Sequence, residues 1–137
     1  MAEGKYGKYI LRQTKPSGKS SSIMPVALEG QKDWAGIAHR MVWSHVVQPG
    51  SFGQELHSHD FDEFYCFLGN DARDSFDFGA EVEISLGNEG EKQTIDHTSI
   101  VCVPKGLVHG PISFKKVTKP VLFCDIYMSP EHRMKKA

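Results

Sequence analysis

Two imidazoles and a carboxylate, His57, His59 and Glu63, fall within one short run, Leu56-His57-Ser58-His59-Asp60-Phe61-Asp62-Glu63. A third imidazole, His109, follows far downstream. Nitrogen donors with one carboxylate suit a divalent transition metal: iron, manganese, nickel, zinc or copper. On a strand, side chains at i and i+2 share a face, so His57 and His59 can point at one ion. Glu63 has the same parity, yet a straight strand would carry it about 20 Å from His57. Metal–ligand bonds are only about 2.0–2.2 Å long. The chain must therefore turn between His59 and Glu63, and Asp60 and Asp62 are suitable turn residues. His109 arrives from another strand after the bend Pro104-Lys105-Gly106.

The pair of segments resembles the two sequence motifs of the cupin superfamily. The first motif is His-x-His, three or four residues, then Glu, with glycines on either side; here it runs from Gly50 to Gly69. The second is Pro-x-Gly-x-x-His, here Pro104-Lys105-Gly106-Leu107-Val108-His109. All four ligand positions match, and the resemblance spans roughly residues 40 to 128. The departures fall on turns: Gly50 and Gly69 sit one residue off, Thr98 replaces a leading glycine, and Ser113 replaces a terminal Asn. The resemblance implies an all-β chain, a single antiparallel barrel of the jelly-roll type, with one divalent metal held by His57, His59, Glu63 and His109. It implies a small-molecule metalloenzyme, with dioxygenase or other oxidoreductase chemistry leading and isomerase or lyase chemistry following. A non-catalytic binding or sensing module is the competing reading. The family commonly dimerises by packing barrel sheets, so a homodimer is expected.

Composition narrows the classes further. A chain of 137 residues suits one domain with one core. Its 39% hydrophobic and 24% charged residues are ordinary for a globular protein. The formal net charge of −1 points to neither nucleic acid nor an acidic membrane surface. No run approaches the roughly 18 apolar residues of a membrane span. The N-terminus, Met1-Ala2-Glu3-Gly4-Lys5-Tyr6, has no apolar signal core, so the cytoplasm is the expected compartment. Cys66, Cys102 and Cys124 are an odd number in apolar surroundings and read as reduced thiols.

Residues 1–30 read as an N-terminal arm and linker, and 31–137 as the barrel domain. Pro16-Ser17-Gly18-Lys19-Ser20-Ser21-Ser22 has linker composition. Tyr6, Tyr9, Ile10 and Leu11 could anchor the arm as a strand on a neighbouring subunit. Strands are expected at Met41–Val47, Glu63–Leu68, Ala80–Leu86, Gln93–Ile95, Ile100–Val103 and Val121–Tyr127, with a hairpin turn at Gly87-Asn88-Glu89-Gly90. Short strands at regular spacing point to an antiparallel barrel. Helix is plausible only near Asp33 or at Pro130–Lys135. The run Asp71–Asp77 reads as a polar surface loop.

Strand alternation then extends the site into a pocket. With Glu63 inward, Tyr65 and Phe67 share its face. Trp43, His45 and Val47 are expected to point inward by analogy with cupin barrels. In the last strand, Leu122, Cys124 and Ile126 are favoured inside, because an inward Asp125 would need a buried partner. Such a lining of Trp43, Phe67 and Cys124 suits a small, partly apolar ligand that coordinates the metal through oxygen. His45 is a candidate general acid or base, and Tyr65 a candidate proton donor.

Overall fold

The computed structural model describes residues 4–12, 27–30, 37–74, 76–130 and 133–136. Among the described residues, eleven strands follow one 3-10 turn at Gly7–Tyr9, and no α-helix occurs. They are β1 (Ala27–Glu29), β2 (Arg40–Val46), β3 (Gly50–Phe52), β4 (His57–Ser58), β5 (Glu63–Gly69), β6 (Ala80–Leu86), β7 (Glu91–Ile95), β8 (Ser99–Val103), β9 (His109–Val117), β10 (Val121–Tyr127) and β11 (Lys135–Lys136). Every pairing is antiparallel. Sheet one runs β1-β2-β10-β5-β8; sheet two runs β11-β4-β9-β6-β7, with β3 on β9. Two antiparallel sheets joined by long crossovers are the jelly-roll arrangement.

The core lies between the sheets. Phe67 and Phe123 of sheet one stack at 5.0 Å between ring centroids, and Phe114 of sheet two approaches Phe67 at 6.0 Å. Val82 and Val121 are fully buried, and Ile84 nearly so. Burial of these side chains from both sheets is the main force holding the sandwich together.

The expected strands at 63–68, 80–86 and 121–127 are present, and those expected at 93–95 and 100–103 lie within β7 and β8. The hairpin forms at Gly87 and Gly90, both at positive φ (81° and 65°), which only glycine adopts without strain. The Asp71–Asp77 loop is polar as expected, and Lys119 Nζ ties it down through Asp71 (3.0 Å) and Asp77 (2.6 Å). Residues 16–22 and the helix expected near Asp33 lie outside the described residues. The C-terminal helix is corrected: Lys135–Lys136 form β11 against β4. Gly7–Tyr9 form a 3-10 turn, with Tyr6 and Tyr9 largely exposed.

The sequence pattern hides β9, the longest strand. Gly110 and Pro111 read as breakers within it, but Pro is tolerated at bulges. Ile84 pairs with Ile112 and Leu86 with His109, so β9 spends one more residue than β6 across that interval. The resulting bulge absorbs Pro111 and re-aims the side chain at the strand's start, which is His109.

Candidate metal centre

Local geometry brings the two motifs together. His57 on β4 pairs directly with His109 on β9. The turn after His59 is closed by the second motif, because the Gly106 N–H donates to the His59 carbonyl (2.9 Å). Gly106 sits at φ 87°, a conformation that favours glycine. The Lys105 N–H donates to the Asp62 carboxylate at 2.8 Å, and the Met128 N–H to the Asp62 carbonyl at 2.9 Å. Asp62 thus joins the first motif to the Pro-x-Gly bend and to the end of β10. The departures from the family pattern compensate locally: Thr98 Oγ1 accepts the Gly69 N–H at 3.0 Å.

His57, His59, Glu63 and His109 converge and are buried, with relative exposures of 4, 5, 1 and 0%. One nitrogen from each of the three histidines lies within 4.8 Å of the others. Glu63 Oε1 stands 3.2 Å from His59 Nε2 and 3.3 Å from His109 Nε2. The Tyr65 hydroxyl donates to the same Oε1 at 3.1 Å. The sequence reading of these four positions as one cluster therefore matches their placement.

Hydrogen bonds orient the rings. His57 Nδ1 meets the Glu55 carbonyl at 2.6 Å, and His109 Nδ1 the Leu107 carbonyl at 3.0 Å. His59 Nδ1 meets the carbonyl of Arg133, in the segment leading into β11. Carbonyls only accept, so each Nδ1 carries the proton. Each neutral Nε2 is then a lone pair, and two of them face the Glu63 carboxylate. Acceptors facing acceptors repel, and His109 Nε2 has no hydrogen-bond donor. A metal ion among these four side chains, or a proton on an Nε2, removes the conflict, and backbone-oriented imidazoles are the usual support of metal ligands.

Burial lowers the His57 pKa, against the opposing Glu55 carbonyl. Burial also disfavours charge on His59, but the Glu63 carboxylate and the Arg133 carbonyl outweigh it, and the net shift is upward. Burial penalises the Glu63 carboxylate, yet protons carried on the facing His109 and His59 nitrogens, and the neighbouring Asp125, hold its pKa far below the ordinary carboxylate range. It therefore stays anionic.

The cavity beside the cluster has a volume of about 220 Å³. Tyr65, Phe123, Asp125 and Tyr127 wall it on sheet one, and Phe52 and Ile112 on sheet two. This corrects the expected phase of two strands. Trp43 pairs with Cys124 and His45 with Leu122, and none of these residues lines the cavity. Val42 and Val46 are the buried residues of β2, while Val47 is 57% exposed. Trp43, His45 and Cys124 therefore face outward, and His45 has no route to a ligand at the histidines. Phe67 keeps the inward phase but is buried in the core and does not line the cavity.

Asp125 is the residue that sequence reasoning missed. Burial, then the neighbouring Glu63, pushes its pKa up to about 9, and it hydrogen-bonds Glu63 and Tyr127. The buried neighbour it was thought to lack is Glu63 itself, whose negative charge keeps Asp125 protonated at neutral pH. The parity of Asp125 with Tyr127 was the available signal.

No protein-family model matches the chain, and no curated protein matches it. Solved structures do. The chain is similar to a recombinant oxalate oxidase in complex with glycolate (TM-score 0.58, 13% identity), covering 98% of this chain and 66% of that one. It is similar to the oxalate decarboxylase of Bacillus subtilis, studied for its Mn(II) centres (TM-score 0.52, 12% identity), over 80% of this chain and 27% of that one. It is also similar to the salicylate 1,2-dioxygenase of Pseudoaminobacter salicylatoxidans (TM-score 0.52, 14% identity), over 77% of this chain and 28% of that one. The chain thus spans at most about two thirds of the length of these proteins. The two-sheet topology and these structures together show that the chain has the cupin-type jelly-roll fold.

Proposed function

We propose that the chain is a metal-dependent cupin enzyme that acts on a small molecule bound to the metal through oxygen. Oxidoreductase chemistry of the dioxygenase type leads. The carrying observation is the set of buried Nε2 lone pairs turned toward the Glu63 carboxylate. That arrangement is poor for an empty pocket and good for a divalent ion. His57, His59, His109 and Glu63 would hold it. An ion with open positions acts as a Lewis acid or redox centre toward whatever binds beside it. Manganese and iron lead the list of ions, with nickel, zinc and copper also compatible with the donors. The Mn(II) centres of the structurally similar Bacillus subtilis oxalate decarboxylase support manganese.

The chain's own residues define the rest. Phe52, Ile112 and Phe123 exclude water and favour a partly apolar ligand. Tyr65 holds its proton against Glu63, since burial and that carboxylate raise its pKa. It is therefore a hydrogen-bond donor to the ligand carboxylate at neutral pH, and Asp125 is a second proton-bearing group in the cavity.

The test is elemental analysis of protein purified without added metal, followed by oxygen consumption with carboxylate, carbonyl and catechol ligands. His59→Ala should lose the ion and the thermal stabilisation it confers, about 2.7 kcal/mol at a hundredfold excess over Kd. Full occupancy at unchanged affinity in that variant would remove the assignment. Metal with no turnover across the panel would favour the binding-module reading.

The assembly we propose is a homodimer packed through the outward face of sheet one. Ile100 (66% exposed) and Leu68 (44%) lie on that face beside exposed Cys102. Contiguous exposed apolar surface of this kind marks association sites.

A further inference from the structure

Next to the metal-side cavity lies a second one of about 230 Å³, walled by Val42, Ser44, Val46, Phe52, Phe123 and Asp125, with Arg40 at its end. Phe52, Phe123 and Asp125 line both. The strand register explains the division. On one side of β10, Asp125 pairs with Tyr65 and Tyr127 with Glu63, which places the histidines' carboxylate partner there. On the other side, Asp125 pairs with Val42 and Phe123 with Ser44. The inward face of sheet one therefore carries two adjoining chambers, with Phe123 and Asp125 of β10 and Phe52 of β3 at their shared boundary.

The chambers differ in chemistry. The metal side holds three imidazoles, a carboxylate and a tyrosine hydroxyl. The β2 side is built from valines and phenylalanines, with Ser44 in its wall. At the crossing stands Asp125, whose Oδ1 is buried without a hydrogen-bond partner. A ligand crossing that boundary can satisfy that atom with a hydroxyl or N–H.

We propose that the second chamber is a subsite for the apolar tail of the ligand. The ligand class is a chelating oxygen head, a hydroxyl or N–H group just behind it, and an unbranched hydrocarbon tail. A two-carbon acid would fill only the metal-side chamber. This inference rests on the metal-dependent reading above and adds to it a specificity for chain length.

Alkyl hydroxamates fit this description: two chelating oxygens, an N–H and a tail of chosen length. The full chain loaded with Mn(II) is titrated by calorimetry with the series from acetohydroxamate to octanohydroxamate. Kd should tighten about fourfold per added methylene, the worth of burying one CH2, until the chamber is full. Ser44→Phe fills the chamber from β2. It should hold Mn(II) and acetohydroxamate as the wild type does and lose the gain with tail length. Ser44→Leu should show a partial loss. A flat wild-type series overturns the subsite while leaving the metal reading intact, as does Mn(II) binding without any hydroxamate binding. A chain-length gain that survives in both variants places the tail elsewhere and also overturns it. Absence of binding by the wild type to any of Mn(II), Fe(II), Ni(II), Zn(II) and Cu(II) overturns the metal reading and the subsite together. Should neither variant fold, the wild-type series decides alone.

Discussion

The two faces of sheet one share every backbone hydrogen bond, yet polarity alone does not sort their contents: beside the apolar core of Phe67, Phe123, Val46 and Val121, the inward face holds most of the sheet's buried polar groups. The inward face carries Glu63, Asp125, Tyr65 and Tyr127, buried or half-buried. The outward face carries Trp43, Cys66, Leu68, Ile100 and Cys102, of which Ile100 is two-thirds exposed. Charge is inside because it is partnered: Glu63 is engaged by His59, His109, Tyr65 and Asp125. Apolar side chains remain outside, where a second copy of the chain can cover them. Taking a carboxylate out of water costs several kcal/mol, and partners such as these offset that cost. The face taken by a polar residue on these strands is therefore set by its partners as well as by the apolar residues that share its parity.

Alanine substitution along β10 gives the sharpest test of this contrast. Phe123→Ala opens a cavity between Phe67 and Phe114 and should cost about 3–5 kcal/mol of unfolding free energy in urea. Leu122→Ala, on the half-buried outward face, should cost less than the roughly 2 kcal/mol at the low end for a buried Leu. Equal costs would mean the two faces are not distinguished by packing.

A chain ending at Pro130 removes the Arg133 carbonyl that orients His59, and with it β11. The ligands themselves remain. Loss of such an orienting group should weaken metal affinity about 10–100-fold, read by competition with a chelator. Unchanged affinity would show that His59 needs no support from the tail.

Ile100→Glu places a charge on the outward face, far from the cavity. Light scattering should show the dimer converted to monomer, with metal content unchanged. A wild-type protein that is already monomeric ends the dimer proposal, and loss of metal in the variant would show that the two faces are coupled.

The smallest effect is expected at the surface cluster. Lys119, first, and then the Arg73 backbone hold the Asp71 carboxyl down at about 2, below its ordinary 3.8. A depressed carboxylate adds stability above 3.8, and that stability is lost as pH falls through about 2. Asp71→Asn should therefore lower Tm slightly at neutral pH, with the difference fading on acidification. A Tm difference as large as that of Phe123→Ala would break the distinction between solvated and buried charge.

Within these strands, legibility followed the range of the interactions. His57, His59, Glu63 and His109 were readable because each sits in a short motif whose turn residues carry their own conformational demand, Gly106 above all. The hairpin at Gly87 and Gly90 was readable for the same reason. The inward phase of β5 followed from Glu63 alone. The phase of β2 and β10 was not readable, since Val42 and Trp43 are equally suited to burial, and Asp125 looked unburiable without its distant partner. β9 was obscured because the bulge that accommodates Pro111 exists only against β6.

The amino-acid sequence by itself determined that this chain builds an antiparallel β fold around three histidines and a glutamate. Donor identity and motif spacing are local properties, and glycines at positive φ enforce the turns. Only the tertiary structure decided which face of β10 meets those histidines, that Asp125 lies beside Glu63, and that a carbonyl from residue 133 orients His59. Those outcomes depend on register between strands far apart in the chain, where a shift of one residue exchanges the faces.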